Sequence, residues 1–70
     1  MKQKVIDLQR KIKNNIDYIS TQYSTIDDIL YQLTLILDMK MTNDKIEQWF
    51  ELNSSIVNTI ENILERQSDI

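Results

Sequence analysis

Among the 70 residues of this chain there is no glycine and no proline. Glycine supplies the left-handed backbone that tight hairpins and phosphate loops require, and proline punctuates a chain by fixing φ and removing a donor. With both absent, tight hairpin turns and Gly-lined phosphate cradles are excluded, and helices remain. Alanine is missing too, while Ile, Lys, Asn and Asp are abundant. That bias is expected of AT-rich coding sequence, as in a low-GC bacterium, its phage or plasmid, or an AT-rich eukaryote.

The apolar pattern agrees. Val5, Leu8, Ile12, Ile16, Ile19, Tyr23, Ile26, Leu30, Leu33 and Leu37 recur in steps of three and four, with an extra four-step near Ile16 that resembles a stutter. Alternation of the strand kind is nowhere sustained, so the chain reads as all-α.

The clearest break is MTND at residues 41–44. Thr42 suits an N-cap, with Asp44 where the helix dipole favours a carboxylate and Met41 and Ile46 at the positions of a hydrophobic staple. Asp44 as the cap gives instead a capping-box-like spacing to Glu47, and on either choice a helix starts here. From there Ile46, Trp49, Phe50, Ile56, Val57, Ile60, Ile63 and Leu64 form a second amphipathic stripe.

The stretch YISTQYSTIDD at residues 18–28 permits two architectures. Its four hydroxyl residues favour turns and caps over helix interiors, yet the apolar seam crosses the stretch in register. The favoured reading is an antiparallel helical hairpin with a first helix over 3–39 and a second over 43–66. The first would be about 55 Å long and the second about 33 Å. Val5, Leu8 and Ile12 would then overhang and draw in a partner, so the hairpin is expected to self-associate into a helical bundle as a homodimer or higher oligomer. The alternative is a compact three-helix bundle with a turn near 20–24, in which the same residues become core. On either reading the segment 26–39 is apolar over most of its circumference and requires more than one helical neighbour.

Seventy residues make one domain, 1–70, whose core alone gives marginal stability. With no cysteine or histidine, the chain offers no disulfide, thiolate nucleophile, imidazole base or usual zinc ligand set. The Glu47/Glu51 and Glu61/Glu65 pairs read as solvated helix faces. Catalytic, cofactor-binding and metal-binding residues are therefore expected to be absent, and the chain is read as non-enzymatic, without a small-molecule substrate. Its densest apolar run, LTLILDM, is far shorter than the ~20 residues of a membrane span. A soluble, cytoplasmic protein without membrane contact is expected.

Charge is unevenly spread. In the first thirteen residues Lys2, Lys4, Arg10, Lys11 and Lys13 stand against Asp7 alone, a balance of +4, whereas the remainder has three basic residues against ten acids, a balance of −7. Basic residues at a helix N-terminus oppose its dipole, so an electrostatic contact is expected for Lys4, Arg10, Lys11 and Lys13. The favoured contact is the acidic face of another helix. Phosphate binding to a nucleic acid is the weaker alternative, because the segment lacks stacking aromatics and the net charge is −3.

Two further positions stand out. Trp49 reads either as core beside Phe50 or, with Leu52, as an anchor for a partner, since aromatic residues concentrate binding energy. Asn53 lies on the second seam roughly level with Tyr31, where a polar pair would set register. In addition, the seam, polar loop and tryptophan-bearing helix that run from Met39 through MTNDKIEQWF to Ser54, Ser55 and Ile56 resemble small coiled-coil subunits of the fungal outer-kinetochore ring complex. The resemblance covers about a third of the chain and implies a structural subunit of a larger assembly.

These readings converge on a small protein-binding module acting by helix–helix association. A stoichiometric inhibitor or regulator of a larger protein, encoded by a phage or other mobile element, is the favoured role. The expected partner-binding residues are Val5, Leu8, Ile12, Trp49 and Leu52.

Overall fold

The computed structural model describes residues 2–68. Among them the chain is all-α: α1 (Lys2–Asn14), α2 (Ile16–Gln22), α3 (Ile26–Asp38), α4 (Asn43–Leu52) and α5 (Ser54–Ser68), with no strand. These make three arms, α1 with α2, then α3, then α4 with α5, in a body of 37 × 19 × 18 Å.

Two asparagines interrupt the outer arms in the same way. The Asn15 amide donates to the Lys11 carbonyl at 2.9 Å, and the Asn53 amide donates to the Trp49 carbonyl at 2.9 Å. Each thus bonds back one turn on its own helix, a competition with the backbone ladder that bends helices. Helical bonding resumes at once, from the Ile19 N–H to the Asn15 carbonyl and from the Val57 N–H to the Asn53 carbonyl. The stutter near Ile16 is the sequence trace of the first interruption.

The stretch at 18–28 turns. Ser20 and Thr21 donate their hydroxyls to the Asp17 and Tyr18 carbonyls, one turn back in α2. Tyr23 then leaves the helix in an extended conformation, with φ −144 and ψ 100, while its N–H still bonds the Ile19 carbonyl. The Ile26 and Asp28 amides donate to the Tyr23 and Thr25 carbonyls, and Asp27 and Asp28 occupy the first turn of α3, where its dipole favours them. The expected single helix over 3–39 is thereby corrected: the chain breaks at Asn15 and reverses at 23–25. An extended Tyr23 and two hydroxyl residues accomplish the reversal without glycine.

The consequence falls on Val5, Leu8 and Ile12. They are 0%, 4% and 0% exposed, and belong to one cluster with Ile19, Ile26, Leu33 and Ile60, each 0% exposed. The expectation that they form an overhanging partner-binding surface is therefore corrected as well. Folding back removes their apolar area from water inside the chain, each side chain contributing roughly 1.5–3 kcal/mol. α1 packs chiefly against α3, and α2 against α5 and α3.

The second reversal follows MTND as expected in kind. The Thr42 hydroxyl accepts from the Lys45 N–H at 3.4 Å, Ile46 is buried, and Met41 packs on the core. The helix expected over 43–66 is divided at Asn53 and extends to Ser68. Between α3 and α4, Lys40 adopts a left-handed φ of 50. For a residue with a Cβ that conformation costs about 1–2 kcal/mol. After the greater unfolded-state entropy of glycine is deducted, Lys40→Gly is expected to stabilise by about 0.5–1 kcal/mol, raising the melting temperature by several degrees. A calorimetric scan in dilute solution reads this, and a lowered melting temperature would refute it.

Candidate protein-binding face

α3 is apolar on two sides. Ile26, Ile29, Leu33 and Ile36 face the core. On the opposite side Tyr31, Leu35 and Met39, spaced i, i+4 and i+8, are 64%, 36% and 66% exposed. α4 adds to this flank: Ile46 and Phe50 point inward, Trp49 sits half-buried at the edge, and Leu52, one turn on, is 86% exposed.

The indole is held in place. Trp49 Nε1 donates to Gln32 Oε1 at 3.0 Å, tying α4 to α3, and its ring meets Phe50 edge-on at 5.2 Å between centroids. Edge-to-face pairs of this kind are worth ~0.5–1.5 kcal/mol beyond their area. A shallow groove of about 170 Å³ results, lined by Gln32, Leu35, Ile36, Met39, Met41 and Trp49. Gln32, the one polar lining residue, already accepts the indole bond, so the groove offers mainly apolar surface. The lining is apolar side chains beside a tryptophan fixed by its hydrogen bond, a residue type enriched where interfaces concentrate binding energy.

The remaining predicted residues are divided by the structure. Lys4 places its ammonium 4.5 Å from the centre of the Phe50 ring, a cation–π contact between the first and third arms. Lys11 lines a groove with Asn15, Glu61, Leu64 and Glu65, which sets a basic side chain of α1 beside acids of α5. Arg10 and Lys13 are exposed. Helical spacing separates these residues: Lys4 and Lys11 share the side of α1 toward the third arm, while Arg10 and Lys13 lie on other sides. Asn53 bonds the Trp49 carbonyl on its own helix, and Tyr31 stands on the open flank.

Trp49 lines the groove and Leu52 stands exposed one turn further along α4, outside that lining, while Val5, Leu8 and Ile12 lie apart in the core. Leu35 and Met39 lie in the segment 26–39, which the sequence shows as apolar over most of its circumference. Their outward position was signalled by the period-four spacing of Tyr31, Leu35 and Met39 around the back of a helix whose core stripe is Ile26, Ile29, Leu33 and Ile36.

Among the described residues no three His, Cys, Asp or Glu side chains are grouped as metal ligands would be, and no helix is long and apolar enough to cross a membrane. The chain matches no protein-family model, no curated protein and no solved structure.

Proposed function

We propose that this chain is a small, non-enzymatic, cytoplasmic protein-binding module that acts by helix–helix association, as a stoichiometric inhibitor or regulator of a larger protein. The observation that carries the reading is the α3–α4 flank, where Tyr31, Met39 and Leu52 are 64%, 66% and 86% exposed around a hydrogen-bonded tryptophan. A fold with so little core has reason to keep such side chains inside unless they serve an interface. Exchange of a whole apolar face for a partner's surface needs no reactive group, which suits a chain without histidine or cysteine.

Leu52→Glu tests the proposal. Leu52 is almost fully exposed, so the substitution is expected to change stability by no more than ~0.5 kcal/mol. A charge placed within a buried apolar contact would weaken binding at least tenfold, about 1.4 kcal/mol. Tagged wild-type and variant chains would be expressed in the source cells, and any chain recovered in one-to-one ratio compared between them. Loss of that chain from the variant, with unchanged circular dichroism, is the expected result. Equal recovery by both would overturn the assignment of this face.

A further inference from the structure

We propose that in the free protein a second copy of this chain occupies the α3–α4 face, with the two α3 helices antiparallel about a two-fold axis through Leu35. The inference rests on the reading of that face as a binding surface and names its occupant in the absence of a target.

The spacing is self-complementary. Tyr31, Leu35 and Met39 are separated by four residues on each side of Leu35, so a two-fold axis perpendicular to α3 sets Leu35 against Leu35 and Tyr31 against Met39 of the second copy. The stripe is also charged oppositely at its two ends. Asp28 stands one turn before Tyr31, and Lys40 follows Met39. In the antiparallel pairing the Asp28 end of one α3 meets the end of the other copy's α3, where the helix closes at Met39 and Lys40 follows in the turn. Parallel pairing would instead set like charges together. Asp38 lies at the same end as Lys40, but helical spacing turns it ~60° from Leu35, toward the side of Thr34. That side faces α1, because Gln9 Nε2 donates to Thr34 Oγ1 at 2.9 Å.

A standard interface takes ~800 Å² from each partner, and the 13-residue α3 with Leu52 offers only part of one flank of the 37 × 19 × 18 Å body. Because the apolar part is confined to one stripe and Leu52, the dimer belongs to the weak class, with a dissociation constant on the order of micromolar. Weak pairing of this kind leaves the face available to a target.

Sedimentation equilibrium of the whole chain, from about 1 µM to about 1 mM, tests the proposal around that expected constant. A monomer–dimer equilibrium is expected. Leu35→Glu and, independently, Leu52→Glu should each raise the dissociation constant at least tenfold while circular dichroism stays unchanged. Asp28→Lys and Lys40→Asp should each weaken the dimer severalfold, and the double variant should return it to within about twofold of wild type, a rescue that damage to the monomer would not produce. Aspartate tolerates the left-handed backbone at position 40. A monomer throughout the range, or a dimer indifferent to both glutamate substitutions, would overturn the inference, as would absence of charge-swap rescue. Target capture by the wild type that is lost in Leu52→Glu would in that event leave the binding-face reading standing, so the two fail separately.

Discussion

Ile12→Ala is expected to leave the chain largely unfolded at 25 °C. Ile12 is 0% exposed and lies in the cluster that joins α1 to α3 and α5. Truncating a buried isoleucine to alanine costs about 2–5 kcal/mol, because lost transfer free energy adds to the cavity left behind. A domain of this size has rarely more than ~3–5 kcal/mol to lose. The substitution therefore removes most of the margin, and the helical signal at 222 nm should fall with no cooperative melt remaining. Ile12→Val, which deletes one methylene, should keep the fold at a cost of about 0.5–1.5 kcal/mol. The contrast decides between architectures. In a long hairpin with an overhang, Ile12 would be solvent-exposed in the monomer and Ile12→Ala would be nearly silent, so a well-folded Ile12→Ala monomer would disprove the folded-back arrangement.

Phe50→Ala should have a comparable effect for a different reason. Phe50 is 8% exposed, meets Trp49 edge-on at 5.2 Å and carries the Lys4 ammonium 4.5 Å from its ring centre. It therefore connects the third arm both to the groove and to the start of the first. Burial loss of about 3–5 kcal/mol is joined by loss of the aromatic pair. The single tryptophan reports the outcome directly, since a change in the environment of Trp49 shifts its emission. The expected spectrum is red-shifted in Phe50→Ala and close to wild type in Phe50→Leu, which retains most of the buried volume. A cooperative melt in Phe50→Ala with less than ~1 kcal/mol lost would show that the ring contributes little to the core.

The helical class was legible because several local signals agree. The absence of glycine and proline, the three-and-four spacing of apolar residues and the Thr42 cap with Met41 and Ile46 all point the same way. Agreement between local signals is what makes a sequence specify one fold. At residues 18–28 they conflict. A seam running through the stretch in register fits a continuous helix and a reversal alike, because Ile19 and Ile26 can face one core from either side of a turn. Both are 0% exposed in the folded-back chain.

The candidate face was only half legible for a related reason. Leu52 lies off the core stripe of its helix, and that could be read directly. Leu35 and Met39 sit in a segment apolar nearly all round, where periodicity alone does not tell which side meets the rest of the chain. The basic segment posed the same problem: its net charge was visible, but the separation of Lys4 and Lys11 from Arg10 and Lys13 depends on where α5 and Phe50 lie.

By itself, then, the sequence determined the all-α class and the start of a helix within MTND, because these depend on residue identity and on contacts within a turn or two. Tertiary structure decided the reversal at 23–25, the burial of Val5, Leu8 and Ile12, and the exposure of Tyr31, Leu35 and Met39 beside Trp49. Those outcomes depend on which faces meet across long separations. Apolar area can be removed from water in more than one arrangement, and the arrangement found here covers the first arm and leaves the back of α3 open.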